Sequence, residues 1–304
     1  MMLLPDAIIH GNSIIVSDIA RYGLTNAANE NRKGNYTFSL EMLEGVKNQK
    51  EIEKAIKSAI TEHKFEVYFQ PIYSVKHKKV MGAEALARLY DDNLGFISPI
   101  EFIKIAEKNG DIIEIGKQIF EKVCSFLESV DAEKLGIHFI NVNLSPIQCI
   151  NPSLVKTLSA IAAQHGISMD MFDFEITESM IEDYEAIQFT IAGLRAKGAE
   201  LSLDDFGTGA ANLTSLMNFP IHVVKIDMTF TRSYFNGKAD FLPDLLKLFK
   251  HADIAIVVEG IETKEMMEKM KILGCDYEQG YFFSKPLPPD NFIEYMKGIN
   301  QQEH

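Results

Sequence analysis

The chain has 304 residues, a hydrophobic content of 46% and a formal net charge of −13. This composition is that of a folded globular protein, and its acidic balance argues against binding of polymeric nucleic acid, whose phosphates attract a basic face. A transmembrane helix needs about 18 consecutive apolar residues, and every apolar run in this chain is much shorter. The sequence therefore predicts no membrane span.

The cysteines and histidines indicate neither a disulfide framework nor a zinc site. Cys124, Cys149 and Cys275 lie far apart, and the eight histidines are scattered. Few cysteines without metal spacing fit a reducing compartment. The N-terminus also lacks the basic start and apolar core of a signal peptide. We therefore expect a cytoplasmic location.

The first 64 residues lack the regular strand–helix alternation that is predicted for the rest of the chain. Residues 7–16 predict two short strands around a Gly-Asn turn, and residues 17–31 predict a helix. Because so short a segment cannot build a core, we interpret residues 1–40 as an α+β appendage. Ile52, Ile56 and Ile60 recur at helical spacing, so residues 41–64 are expected to form a linking helix.

From residue 65 to about residue 300, short apolar runs alternate with helical segments. Ser98-Pro99-Ile100-Glu101 opens one of these helices as a capping box with Pro at the first helical position. The alternation predicts an α/β fold, with a (β/α)₈ barrel first and an open doubly wound sheet second. The eight candidate strands are residues 67–69, 80–83, 138–142, 172–174, 201–203, 222–224, 254–258 and one near Tyr277.

The predicted strands end on acids, an amide and a lysine. From Asn143 onward these positions recur at intervals of 32, 29, 21 and 34 residues, each close to one βα unit. In a barrel the carboxyl ends of the strands meet on one face, where such folds carry their active sites. A single acid of this kind is more often a helix cap or a solvated loop residue, but six elements in a row are not explained as caps. The residues are Glu84, Asn143, Glu175, Asp204 with Asp205, Lys225 with Asp227, and Glu259 with Glu262.

Oxygen ligands without histidine or cysteine favour hard divalent ions such as Mg²⁺ or Mn²⁺. Five carboxylates and an amide exceed the needs of one octahedral ion, so two ions bridged by one carboxylate are expected. Asp204 and Asp205 are adjacent and are the natural bridge. Two-metal sites mostly hydrolyse phosphate esters; Lys225 could orient the attacking water, and Arg88 could clamp a phosphate.

A different enzyme class uses similar parts. Barrel enzymes that abstract a proton next to a carboxylate combine Mg²⁺ on strand-end acids with a lysine base. The doubled aspartate and the surplus of carboxylates favour two metals and hydrolysis. The residues alone leave the lysine-base enzyme as an alternative.

Nine motifs between residues 65 and 292 resemble the EAL-domain cyclic di-GMP phosphodiesterases, in order and at family-like spacing. The family takes its name from Glu84-Ala85-Leu86. The resemblance implies a modified (β/α)₈ barrel that hydrolyses cyclic di-GMP to linear pGpG and assembles as a homodimer. The motifs begin at Phe69 (FQPI), Glu84 (EALAR), Ile97 (ISP), Asn141 (NVNLS), Phe174 (FEITES), Asp204 (DDFGTG), Lys225 (KID), Val258 (VEGIET) and Gln279 (QGYFFSKPL).

The resemblance also implies a role for each site residue. Two Mg²⁺ or Mn²⁺ ions would be bound, with Lys225 beside the attacking water and Glu178 holding the loop after Asp205. Ca²⁺ would occupy the site with poor turnover, because its ligand geometry is looser. The ligands implied are Glu84, Asn143, Glu175 and Asp204 for one ion and Asp204, Asp205 and Glu259 for the other; the substrate-side residues are Gln70, Leu86, Arg88, Glu262 and Gln279.

Two departures from the family pattern and one further resemblance bear on activity and on domain organisation. Ala87 precedes Arg88 where the family often has Leu, a change expected to affect packing only. Ala210, Ala211 and Asn212 follow Gly209 where the family usually has Tyr-Ser-Ser, so a catalytically weak cyclic di-GMP-binding regulator is the first alternative. Residues 31–38 resemble the end of a GGDEF domain, which predicts an upstream regulatory domain and makes residues 1–40 its remnant.

Overall fold

The computed structural model describes residues 2–3, 36–37, 40–178, 180, 184–207 and 219–302. In the N-terminal part, β1 (Met2–Leu3) and β2 (Tyr36–Thr37) form a parallel pair. The strands and helix expected over residues 7–31 lie outside the described residues. So do Ala210, Ala211 and Asn212.

Eight strands close into one barrel. β3 (Glu66–Ser74) runs antiparallel to both of its neighbours, β4 (Lys79–Asp91) and β11 (Tyr277–Glu278), whereas the remaining neighbours pair in parallel. The predicted modified (β/α)₈ barrel is therefore confirmed. A short β5 (Gly95–Ile97) extends β4 as an antiparallel hairpin. The barrel strands are β3 (Glu66–Ser74), β4 (Lys79–Asp91), β6 (Phe139–Asn143), β7 (Phe172–Thr177), β8 (Glu200–Phe206), β9 (Val223–Ile226), β10 (Ala255–Val258) and β11 (Tyr277–Glu278).

Helices surround the barrel, and the first of them precedes it. In the described part of the chain, none combines the length and the apolar character that crossing a membrane requires. They are α1 (Leu40–Glu62), α2 (Pro99–Asn109), α3 (Ile112–Ser129), α4 (Ala132–Leu135), α5 (Pro146–Cys149), α6 (Leu154–Gln164), α7 (Tyr184–Ala196), α8 (Met228–Phe235), α9 (Leu242–His251), α10 (Lys264–Leu273) and α11 (Pro289–Gln302).

The apolar core lies between the barrel and its helices. Phe69 of β3 packs against Phe126 and Phe292 with ring centroids 4.3 and 5.4 Å apart, and Phe120 of α3 contacts Phe172 of β7 at 4.7 Å. Each such side chain stabilises the fold by about 1.5–3 kcal/mol. Because strand residues alternate between faces, outward phenylalanines place the intervening polar residues inside the barrel.

The capping box predicted at the start of α2 is wrong. Ser98 is the N-cap and Pro99 opens the helix, but the Ser98 side chain makes no capping hydrogen bond. A capping box forms instead at α5, where Ser145 and Gln148 bond to each other's backbone N–H groups. At Ser98 the backbone N–H groups of Glu101 and Phe102 donate to the carbonyl oxygen of Ser98, at 3.0 and 3.1 Å, and not to its hydroxyl.

Glu278 is a buried acid on the outer face of β11. The thiol of Cys275 donates to Glu278 Oε1 at 3.6 Å, and Oε2 has no hydrogen-bond partner among the described residues. Burial raises the pKa of Glu278 to about 7. A raised pKa in the folded state contributes stability that is complete below the unfolded value, near 4.5, and is lost as the pH rises through 7.

We therefore expect Glu278→Gln to flatten the pH dependence of stability. The free energy of unfolding of the wild type should fall between pH 5 and pH 8, whereas the glutamine variant, which has no proton to lose, should change less. Urea unfolding at both pH values measures this. Parallel pH profiles of the two proteins would contradict it.

Candidate active site

A buried lysine lies at the centre of the strand-end acids. The Nζ atom of Lys225 is 3.2 Å from Glu84 Oε2, 2.7 Å from Glu175 Oε1, 3.1 Å from Asp204 Oδ1 and 2.9 Å from Glu259 Oε1. Burial alone would lower the pKa of this lysine, but the surrounding carboxylates outweigh burial and raise it well above its usual value. Lys225 is therefore a fixed positive charge.

The strand register brings these acids to one end of the barrel. Phe172 and Phe174 face the helices, so the alternate residue Glu175 faces inward from β7. In the parallel register Asn143 pairs with Glu175, and Thr177 pairs with Asp204. The carboxyl ends of the strands therefore form a shared polar face, as the sequence predicted.

Both aspartates of the adjacent pair reach this face. The strand predicted over residues 201–203 continues to Phe206, so Asp204 and Asp205 belong to β8. In a regular strand their side chains would point to opposite faces. Here the pairing with β9 shifts register between Leu203 and Phe206, and Asp205 has a φ of 55°. This irregularity places both carboxylates on the same side.

The carboxylates form two trios that share Asp204. Glu84, Glu175 and Asp204 make the first and Asp204, Asp205 and Glu259 the second; within each, the ligand atoms lie within 4.8 Å of one another. Glu175 Oε2 is buried and has no hydrogen-bond partner in the described part of the chain. An all-oxygen donor set with such an atom fits a hard divalent cation.

The pKa values within the cluster show that negative charge is in excess. Burial raises the pKa of Glu175 well above its usual range, and the charge of Glu84 adds to this. Burial likewise raises the pKa of Glu259 to about 8 and of Asp205 to about 6. Without metal, these three carboxyl groups therefore tend to keep their protons, and cations bound at the cluster would displace those protons.

Two amide side chains donate hydrogen bonds to the carboxylate of Glu84. Burial raises its pKa, but Lys225 and two amide donors outweigh burial, so the pKa lies below the usual value. Asn143 Nδ2 donates to Glu84 Oε1 at 2.9 Å, and Gln279 Nε2 donates to Oε2 at 2.7 Å. Gln279 Nε2 also lies 3.2 Å from Gln70 Oε1.

The strand predicted over residues 80–83 continues to Asp91, so Glu84 lies within β4 rather than at its end. Leu86 and Arg88 lie further along the same strand. The Arg88 guanidinium is 5.5 Å from the centre of the Tyr68 ring, and Tyr68 pairs with Leu86 in the β3–β4 register. Burial lowers the pKa of Arg88, while Glu84 is among the charges that raise it. Arg88 thus presents a partly desolvated cation near the acids.

Glu178 and Glu262 lie at the margins of the site. Glu178 Oε2 accepts a hydrogen bond from the backbone N–H of Gly207 at 3.3 Å. Gly207 has a φ of 102°, and a Cβ atom there would lie 2.0 Å from the ring of Phe230, so only glycine fits. Glu262 is exposed and forms an ion pair with Arg232 at 2.6 Å.

Sequence reasoning gave no role to Asn141, which contacts the site directly. Its Nδ2 donates to Glu175 Oε1 at 2.6 Å, and the residue is 1% exposed. The available signal was its position two residues before Asn143 on one strand, which places both side chains on the same face. It was missed because its partner, Glu175, is 34 residues away.

The fold and the site define a class of protein: a modified (β/α)₈ barrel with a cluster of acids, suited to hard cations, at its strand ends. A model of the EAL domain matches residues 53–286. The chain belongs to the EAL-domain family. The resemblance found in the sequence is confirmed.

Relatives of this chain are larger proteins. The oxygen sensor protein DosP of Escherichia coli is 33% identical over 265 residues, which are 86% of this chain and 33% of DosP. The probable cyclic di-GMP phosphodiesterase PdeI of E. coli is 32% identical over 72% of this chain and 28% of PdeI. The chain spans about a third of the length of the curated relatives it matches.

Solved structures of the family share the fold. The EAL enzyme Bd1971 in its cAMP-bound form has a TM-score of 0.77 and 28% identity, covering 84% of this chain and 73% of Bd1971. The PaMucR phosphodiesterase in complex with c-di-GMP has a TM-score of 0.74 and 28% identity, covering 80% of this chain and 99% of PaMucR.

Proposed function

We propose that this protein is a metal-dependent phosphodiesterase that hydrolyses cyclic di-GMP to linear pGpG. The observation that carries the proposal is the pair of carboxylate trios that share Asp204 around a buried Lys225. The c-di-GMP complex of PaMucR and the name of PdeI supply the substrate. Hydrolysis adds one water across one P–O ester bond and opens the ring.

Two divalent ions, Mg²⁺ or Mn²⁺, are assigned to the two trios. Bound there, they would supply Lewis-acid stabilisation of phosphate charge and a lowered pKa for the attacking water. Orientation of the water, removal of its proton and binding of the substrate are assigned to side chains of the protein. The ligands proposed are Glu84, Asn143, Glu175 and Asp204 for one ion and Asp204, Asp205 and Glu259 for the other.

Lys225 orients the nucleophile and offsets negative charge. Its ammonium has three N–H donors, and four carboxylates fix its position. Because its pKa is raised, it stays protonated. With cations bound to the carboxylates, one of its N–H groups would be free to donate to the water oxygen. Proton removal from that water would fall to a carboxylate such as Glu259. Burial raises its pKa to about 8, so the metal-free group holds a proton near neutral pH; a bound cation would displace this proton and leave a carboxylate able to accept one from the water.

The substrate-side residues recognise an anionic dinucleotide. The Arg88 guanidinium is proposed to donate to a phosphate, with Leu86 beside it packing against the nucleotide. Gln70 is proposed to line the nucleotide groove together with Leu86 and Arg88, and Gln279 and Glu262 are proposed to support the substrate. Glu178 is assigned to the loop after Asp205, which it holds through Gly207.

The test is turnover by the purified protein after EDTA treatment. With cyclic di-GMP and added Mg²⁺ or Mn²⁺, we expect pGpG to appear on ion-exchange chromatography, whereas metal-free protein and Ca²⁺-loaded protein should give little. The reason is that Ca²⁺ takes longer, less regular ligand distances than the compact trios favour. Equal turnover in Ca²⁺ alone would contradict the two-ion assignment.

A binding-only regulator is the second candidate, favoured by one sequence feature: Ala210, Ala211 and Asn212, a few residues after the acid pair in the sequence, depart from the family pattern. Cyclic di-GMP binding without pGpG formation in Mg²⁺ and Mn²⁺ would establish it. The lysine-base enzyme acting on carboxylates predicts no nucleotide affinity at all, so the same measurements separate all three.

We also propose that the catalytic barrel, residues 65–300, works within a larger assembly. Residues 41–64 would act as the linking helix and residues 1–40 as an appendage to an upstream regulatory domain. The greater length of the relatives supports this division. A homodimer through the barrel completes the proposal; sedimentation analysis with and without cyclic di-GMP measures it.

A further inference from the structure

Glu175 is a carboxylate whose two oxygens have different surroundings. Oε1 lies 2.6 Å from Asn141 Nδ2 and 2.7 Å from Lys225 Nζ. Oε2 is buried and has no hydrogen-bond partner among the described residues. Since both donors lie on one oxygen, the other is the atom left to bind a cation.

Asn141 is a buried residue of the barrel strand β6. It is 1% exposed and pairs with Asp173 in the register of β6 and β7, two residues below the Asn143–Glu175 pair. Its Nδ2 therefore approaches the acid cluster from the side of the strands' amino ends. The amide adds a donor without adding charge, so it fixes the carboxylate while leaving the charge of the site unchanged.

We infer that Asn141 is a positioning residue that selects Oε2 of Glu175 as a metal ligand. The inference rests on the metal centre of the proposed function. Lys225 alone does not determine which oxygen of Glu175 faces the metal, because its Nζ lies between four carboxylates. Asn141 gives Glu175 a donor of its own. Partners of this kind, outside the ligand set, typically change metal affinity or activity 10–100-fold.

The test is Mn²⁺ binding to the full chain without nucleotide, measured by titration calorimetry and by electron paramagnetic resonance of free Mn²⁺. Asn141→Leu replaces the amide by an apolar group of similar size. We expect about 10–100-fold weaker Mn²⁺ binding. With saturating metal, kcat for cyclic di-GMP should fall while KM stays within about two-fold, because Asn141 lies below the acids and away from the nucleotide.

A matched control separates positioning from general damage to the core. Gln118 of α3 is a buried amide, 2% exposed, whose side-chain N–H groups donate to the backbone oxygen of Ile60 at 2.9 Å and to Glu114 Oε1 at 3.4 Å, and not to the acids of the site. Gln118→Leu should lose stability yet bind Mn²⁺ like the wild type. If Asn141→Leu does not fold, Asn141→Ser tests the same point, because a serine hydroxyl is too short to reach Glu175.

The outcomes are distinguishable. Weakened Mn²⁺ binding in folded Asn141 variants, with the Gln118 control unchanged, supports the inference. Wild-type Mn²⁺ affinity in a folded Asn141 variant overturns it and leaves the proposed function standing. A wild-type protein that binds no Mn²⁺ overturns the metal centre itself, and the role of Asn141 falls with it.

Discussion

Asp204→Asn is expected to lower kcat for cyclic di-GMP by about 10³-fold or more, equivalent to roughly 4 kcal/mol in the barrier. Asp204 is the one residue common to both carboxylate trios, so a single substitution weakens both proposed cation sites. Asparagine keeps the size of the side chain and removes one charge. Pre-steady-state pGpG formation at saturating Mn²⁺ measures the effect.

The same variant should fold at least as stably as the wild type without metal. The cluster holds more carboxylates than Lys225 neutralises, and their raised pKa values reflect this excess. Removing one charge therefore relieves repulsion. Asp290→Asn, an exposed acid in the first turn of α11, is the control and should leave turnover unchanged. Near-normal turnover in Asp204→Asn would remove the basis for a shared bridging ligand.

Lys225→Met is expected to lower the free energy of unfolding of the metal-free protein by about 3–5 kcal/mol, the usual effect of removing one partner from a buried ion pair. Lys225 is 1% exposed and is the common partner of four carboxylates. Without it, buried acids must take up protons or repel one another. Urea unfolding at pH 8 measures the loss.

Added Mn²⁺ should recover part of this stability, since ions bound to the folded state replace the missing positive charge. Turnover should stay low, because the ammonium that orients the water is gone. Lys247→Met is the control: its pair with Asp244 is 2.9 Å long but the lysine side chain is 66% exposed, and exposed pairs contribute little. Equal stability losses in the two variants would show that Lys225 has no special structural role.

The acidic face of the barrel could be predicted because its residue pattern repeats along the chain. Acids follow successive apolar runs at intervals near one βα unit, and parallel strands bring such positions together. Glu84, Glu175 and Asp204 were placed together on this basis, and the structure confirms that their carboxylates are neighbours. The family resemblance added the cyclic di-GMP assignment, which composition and spacing do not contain.

Side-chain pairings across the barrel could not be predicted. Lys225 and Glu84 are 141 residues apart, and Asn141 and Glu175 are 34 apart, so no local pattern links them. The shift in register that brings Asp205 beside Asp204 depends on the pairing of β8 with β9. The capping box at Ser98 also failed, because a sequence motif names the residues that could form the side-chain bond but does not ensure that the bond forms.

The sequence by itself determined that acids recur about once per βα unit and which metal chemistry they favour, because hydrophobic period and ligand type are local properties. Only the tertiary structure decided that Lys225 is the buried centre of the acids and that β3 runs against its neighbours. It also decided that Asn141 binds one oxygen of Glu175. Burial and the distances between opposite strands set those features, and both arise only when the barrel closes.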